Sequence, residues 1–250
     1  MSLTHDESPK LPFRESPADL DLAADDVHVW FARVVDIRDI MVACTNLLSA
    51  PEQARAEKFK FARDRDLFVA THVALRSILA RYLKQSATDI DFGTGPNGKP
   101  SLAAGSSRHV SFNLSHSGGL AMIAVASCRE VGVDVELIKQ DFAFDEIAER
   151  FFTAREVAAL RALPGDVRCQ GFFKCWTSKE AFLKAKGTGL SGELDEIEIT
   201  LDQDGQVQIA ASIPGWSLAE INPGEDYVAA LVTQGEPVRI HLYQWTPQLL

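Results

Sequence analysis

Two short segments carry acids and cations at spacings that suit one reaction. In Val131-Gly132-Val133-Asp134-Val135-Glu136 the acids alternate with valines. Strand side chains point to opposite faces in turn, so Asp134 and Glu136 share one face and the valines take the other. In Trp176-Thr177-Ser178-Lys179-Glu180-Ala181-Phe182-Leu183-Lys184, a helical reading sets Glu180 and Lys184 one turn apart on a common face. If that helix packs against the strand, three carboxylates and a lysine converge, a set that suits a hard divalent cation and a phosphorylated ligand. Taken singly, the strand acids read as a solvated face and the helix pair as a surface ion pair. Phe172, Phe173, Trp176 and Leu183 change the balance. A glutamate bordering an apolar stripe needs a partner, and a metal is a good one.

Two further segments bear polar groups in turns. Gly93-Thr94-Gly95-Pro96-Asn97-Gly98-Lys99-Pro100 nearly matches a P-loop but ends in Pro100, which has neither the hydroxyl nor the N–H that motif requires. Lys99 is left as a cation on a tight loop, suited to phosphate or to plain solvation. Ser115-His116-Ser117 precedes Gly118-Gly119 and reads as a loop between the strands Val110–Leu114 and Leu120–Ala126. Its hydroxyls, imidazole and free amides suit phosphate oxygens, although an ordinary polar hairpin is the plainer reading. A serine nucleophile is disfavoured, because no Gly-x-Ser-x-Gly elbow is present.

The elements that must position these groups follow from periodicity and turn chemistry. A first strand covers Val27 to Val35, and a long helical stretch opens at Pro51 and runs to about Leu83. The second half begins with helices. Thr153-Ala154-Arg155-Glu156 forms a capping box, Pro164-Gly165 ends that helix, and Gly187-Thr188-Gly189 stops the next. From Ile197 to Tyr243 the pattern turns to strands, with Asp204-Gly205 a hairpin signal between Ile197–Leu201 and Val207–Ala211. The fold class expected is α+β: two lobes, 27–139 and 140–250, each a small, mainly antiparallel sheet packed with helices. The site then lies at the lobe junction.

Composition narrows the function further. The chain of 250 residues carries a net charge of −10. Half of that excess sits in residues 1–26, where seven acids face only Lys10 and Arg14, so this segment is expected to be a disordered acidic tail. The remainder is only mildly acidic, which argues against nucleic-acid binding. No apolar run approaches a membrane span and no secretion signal is visible, so a cytoplasmic location is expected. Cys44, Cys128, Cys169 and Cys175 lack CxxC or zinc-type spacing and read as reduced thiols.

The motifs together resemble the 4′-phosphopantetheinyl transferases of the Sfp type. Gly132-Val133-Asp134-Val135-Glu136 and Trp176 to Lys184 match that family's strand and helix blocks. Gly98-Lys99-Pro100 and Phe112-Asn113-Leu114-Ser115-His116-Ser117 match two more, and Lys58-Phe59-Lys60-Phe61 followed by Arg76 is in the expected place. The similarity spans about residues 30 to 245, with all blocks in order. It implies a monomer of two pseudo-symmetric lobes with coenzyme A in the cleft between them. It also implies transfer of phosphopantetheine to a serine of an apo acyl, aryl or peptidyl carrier protein, releasing 3′,5′-ADP.

On this resemblance Asp134, Glu136 and Glu180 hold Mg²⁺ (Mn²⁺ also fits), and Glu180 is the general base. Lys184 steadies the pyrophosphate. Lys99, Ser115 and His116 hold the nucleotide phosphates, Lys58 adds a contact to the 3′-phosphate, and Lys179 faces either phosphate or partner. The layout suggests secondary metabolism, such as siderophore, polyketide or nonribosomal peptide assembly. One departure is the missing basic residue shortly before the Gly-Lys-Pro turn, which bears on 3′-phosphate binding. A catalytically idle coenzyme A-binding module and a metal-dependent phosphatase or nuclease are the competing functions.

Overall fold

The computed structural model describes residues 13–33, 44–95, 97–103, 110–189, 194, 197–201 and 214–249. Strand β1 is Arg14–Glu15 and β2 is Asp26–Arg33. Helices α1 (Ala50–Ala56) and α2 (Ala62–Leu83) follow. A small hairpin comes next, β3 (Phe92–Thr94) and β4 (Pro100–Leu102). Then come β5 (Val110–Ser117), β6 (Leu120–Ser127) and β7 (Val131–Leu137). The second half holds helices α3 (Asp145–Phe151), α4 (Ala154–Ala162) and α5 (Gly165–Lys186). It closes with β8 (Trp216–Ile221), β9 (Tyr227–Gln234) and β10 (Arg239–Gln244).

Alternation builds the centre of the molecule. Val27, Val29 and Phe31 of β2 and Leu120, Met122, Ala124 and Ala126 of β6 share one core with Val131, Val133 and Val135 of β7. That core lies between two sheets, in the orders β1-β10-β2-β6-β5 and β7-β9-β8. On the outer face of the first sheet, Trp30, Ala32, Ile123 and Val125 pack with α2, which buries Val73, Ile78 and Leu79. On the outer face of the second, Ala230 and Val232 pack with α5, which buries Phe172, Phe182 and Leu183. Each sheet thus carries a helix of 22 residues on its outer side. The α+β class and the pseudo-symmetric pairing of sheet with helix are what the sequence led us to expect.

The lobe boundary is different. β7 precedes residue 140 yet pairs antiparallel with β9, while β10 pairs in parallel with β2 in the first sheet. The two halves therefore exchange strands, and neither 27–139 nor 140–250 is a self-contained unit. The parallel pairs β1–β10 and β10–β2 also make the first sheet mixed.

The disordered tail needs correcting as well, from residue 13 onward. Phe13 stacks on Phe31 with ring centroids 3.9 Å apart, and Arg81 reaches Ser16 Oγ at 2.7 Å. Leu20 and Leu22 pack against the α2 core. Residues 1–12 lie outside the described residues, as do Asp204-Gly205 and Val207–Ala211; Ile197–Leu201 contains no regular strand, only a bridge at Leu201.

The single long helix expected from Pro51 is two helices. Ser49 and Glu52 form a capping box that starts α1, and the chain is extended again at Phe61, the residue before α2. Lys58-Phe59-Lys60-Phe61 forms the irregular break between the two helices. Phe59 packs inward while Phe61 is 61% exposed.

Candidate active site at the seam of the two sheets

β5 and β7 run beside each other along the edges of the two sheets, with side chains bridging them instead of a ladder. Asn113 Oδ1 accepts from Val133 N at 2.9 Å, Ser115 Oγ donates to Asp134 Oδ1 at 2.7 Å, and Ser117 Oγ donates to Glu136 Oε2 at 2.7 Å. Ser115-His116-Ser117 is therefore the end of a strand; the tight turn is Gly118-Gly119 alone, with φ of 61° and 105°. Both left-handed values call for glycine in a two-residue hairpin.

α5 crosses β7 at Gly132. A Cβ there would lie 2.0 Å from Ala181 O and 2.3 Å from Ala185 N, so only glycine lets helix and strand approach this closely. The approach brings together the two segments read from the sequence. Asp134, Glu136, Glu180 and Lys184, with Ser115, His116, Leu114 and Trp176, line one open cavity of about 320 Å³.

Within it, Lys184 Nζ donates to Asp134 Oδ1 at 2.7 Å and to Ser115 Oγ at 2.9 Å. Asp134 Oδ2 and Glu180 Oε1 are buried and have no hydrogen-bond partner among the described residues. Burial, then the Asp134 and Glu136 charges, push the Glu180 carboxyl up to about 7, against the pull of Lys184. Glu136 is also raised, first by burial and then by Asp134, with its Ser117 bond opposing. Three carboxylates with two orphaned oxygens form an incomplete electrostatic arrangement. An oxygen-seeking divalent cation completes it, so the residues present fit Mg²⁺.

A second cavity of about 320 Å³ adjoins the first and shares Leu114, His116 and Lys184 with it. Arg55, Phe68, His72 and Pro100 line its walls. The Phe68 and His72 rings lie 3.9 Å apart between centroids. His116 is held below the usual imidazole range, by burial first and the Lys184 ammonium second.

Three expected contacts are revised by this geometry. Lys179 is fully buried: its Nζ pairs with Glu156 Oε1 at 2.9 Å and donates to Leu194 O at 2.6 Å and Ile197 O at 2.7 Å. All three ammonium protons are accounted for, so Lys179 ties α5 to α4 and the following loop and faces neither phosphate nor partner. The same Glu156 completes the capping box with Thr153 and accepts from Ile199 N at 2.7 Å.

Lys58 is exposed, in the break between α1 and α2, and lines neither cavity described here; the guanidinium at the wall is Arg55, one turn earlier. The helical spacing was available in the sequence, but the unrecognised end of α1 concealed which cation lines the cleft. Lys99 does line the second cavity, but its Nζ is held by Glu130 Oε2 at 2.7 Å, Ala185 O at 3.0 Å and Val131 O at 3.2 Å. It braces the β3–β4 hairpin against β7 and α5. Ser115, expected at the nucleotide phosphates, lines the carboxylate cavity, with its hydroxyl engaged between Lys184 and Asp134.

Hard oxygen donors, a lysine and a neighbouring cleft with a guanidinium and aromatic rings form a constellation suited to phosphoryl chemistry on a nucleotide-bearing substrate. Comparison with known proteins agrees. The family model described as 4′-phosphopantetheinyl transferase superfamily matches residues 130–232, and that described as 4′-phosphopantetheinyl transferase, N-terminal, matches residues 37–128. The chain is 36% identical over 233 residues to the 4′-phosphopantetheinyl transferase HetI of Nostoc sp., covering 93% of this chain and 94% of that one. It is 34% identical over 164 residues to the 4′-phosphopantetheinyl transferase Sfp of Bacillus subtilis, covering 66% of this chain and 71% of that one. A solved holo-(acyl-carrier-protein) synthase from Bacillus anthracis, in complex with CoA, matches with a TM-score of 0.36 and 22% identity, covering 43% of this chain and 96% of that one. The chain belongs to the 4′-phosphopantetheinyl transferase superfamily.

Proposed function

We propose that this protein transfers the 4′-phosphopantetheine group of coenzyme A to a serine of an apo carrier protein and releases 3′,5′-ADP. The observation that carries the reading is the convergence of Asp134, Glu136, Glu180 and Lys184 in one cavity beside a second lined by Arg55, Phe68 and His72. The nucleotide end of coenzyme A fits the second cavity, where Arg55 is the cation for phosphate and His116 stands at the passage to the first. Lys184, already fixed by Asp134 and Ser115, reaches the pyrophosphate.

The serine O–H attacks the β-phosphorus, a new P–O bond forms, and the bond to the oxygen bridging to the α-phosphate breaks. Glu180 takes the serine proton. Burial and the neighbouring Asp134 and Glu136 charges raise its carboxyl above the usual carboxylate range, which favours proton acceptance. Asp134, Glu136 and Glu180 would hold Mg²⁺, which when bound would supply charge neutralisation for the phosphate oxygens.

Acyl, aryl and peptidyl carriers of secondary metabolism are the partners we favour, with the enzyme acting as a monomer. Among the described residues no helix is long and apolar enough to cross a membrane.

The test separates binding from turnover. Glu180→Gln should bind coenzyme A within about threefold of wild type yet transfer at least about 100-fold more slowly, an effect of the size general-base removal produces. Transfer within about threefold of wild type would remove Glu180 from the proton-accepting role. Hydrolysis of coenzyme A without any carrier modification would instead place the protein among metal-dependent hydrolases.

A further inference from the structure

A second cluster of ligating groups lies away from this cavity, where β2 meets β10. His28 and His241 are directly opposite in the parallel register, and Asp26 is two residues before His28 on the same face. One ligating atom from each of Asp26, His28 and His241 lies within 4.8 Å of the other two. The atoms left available are defined by their neighbours. His28 Nδ1 is bonded to Tyr82 Oη at 2.8 Å, which leaves its Nε2. Arg14 donates to His241 Nδ1 at 2.8 Å, and His241 Nε2 is buried without a hydrogen-bond partner among the described residues, 3.5 Å from Asp26 Oδ1. His28 itself is 2% exposed.

We propose that Asp26, His28 and His241 form a binding site for a borderline divalent transition ion such as Zn²⁺ or Co²⁺. Two imidazole nitrogens and one carboxylate oxygen prefer such ions to Mg²⁺, which demands oxygen donors. The contact to Tyr82 is the kind of outer partner that orients a ligating imidazole. The ion would fasten β2 to β10, the strand contributed by the other end of the chain. Arg239 and Arg14 now occupy Asp26 and His241, but the Arg239 side chain is 72% exposed and the Arg14 contact lies at the surface, so both turn out into solvent when an ion enters. Because an imidazole ligating through Nε2 carries its proton on Nδ1, Arg14 competes with the ion.

The experiment uses the untagged full chain, stripped with chelator and held in millimolar Mg²⁺ so that the oxygen-donor cavity is filled. Co²⁺ titration should give one equivalent with visible d–d absorption. His241→Ala and Asp26→Asn should each weaken binding on the order of 10-fold or more, while Mg²⁺-dependent carrier modification stays within about twofold of wild type. Arg14→Ala, which keeps all three donors, should bind at least as tightly. Zn²⁺ added to the wild type should shift the ring signals of His28 and His241 in long-range ¹H–¹⁵N spectra, a readout that needs no variant. Absence of the absorption band, its persistence in both ligand variants, weaker binding in Arg14→Ala, or unmoved imidazole signals would each overturn the site.

Discussion

Glu180 shows how much chemistry one burial decision creates. In water its carboxyl would titrate near 4.5; enclosed beside Asp134 and Glu136 it titrates at about 7. The folded protein thus holds this proton more tightly than the unfolded chain does, and the associated stability is complete below about 4.5 and lost as the pH rises through 7. Metal-free protein should therefore weaken between pH 5 and 8, and Glu180→Gln should be more stable than wild type at pH 8 by about 2 kcal/mol. Urea melts in EDTA at both pH values check this; parallel stability profiles for the two proteins would contradict it. Asp134, Glu136, Glu180 and Lys184 were legible because their convergence needs only the periods of a strand and a helix. Lys179 was not, because its fate depends on Glu156 and the carbonyls of Leu194 and Ile197, none of them within its own segment. Lys58 and Arg55 exchanged places for a similar reason, since the end of α1 decides which of them faces the cleft.

At the scale of elements, the decisive contact is α5 against β7. Asp134 and Glu136 lie on β7 and Glu180 on α5, so the spacing at Gly132 sets their separation. Gly132→Ala puts a methyl where Ala181 O and Ala185 N already sit, and neither backbone atom can turn aside. We expect a loss of about 3 kcal/mol in stability. Carrier modification should fall on the order of 100-fold in the fraction that still folds, since small displacements of catalytic groups are costly. A variant that melts like wild type would show that the approach is looser than the geometry indicates. The glycine was visible in the sequence as part of a motif, but its reason was not, because the clash partner lies some fifty residues away. The end of β5 was misread as a loop for the opposite reason. Ser115, His116 and Ser117 are polar, and a polar run looks like a turn until β7 supplies partners for it.

Across the whole molecule, the two halves are interlocked by exchanged strands. β10 lies between β1 and β2, and beyond it Trp245 is fully buried, donating to Ser77 Oγ at 2.6 Å. Removing residues 239–250 should therefore abolish cooperative unfolding of the entire chain; a truncated protein that still melts cooperatively near the wild-type temperature would contradict this. Local periodicity revealed the strands and helices, but strand order depends on contacts between distant ends of the chain. The same interlocking holds the seam at which β5, β7 and α5 meet, and the account depends on that seam transferring phosphopantetheine. The most direct test is intact mass spectrometry of apo acyl, aryl and peptidyl carrier proteins incubated with this protein, coenzyme A and Mg²⁺, with and without EDTA. The predicted result is a gain of one phosphopantetheine on at least one carrier, lost in EDTA and restored by added Mg²⁺. Unchanged masses on every carrier, or a gain that persists undiminished in EDTA, would contradict the account.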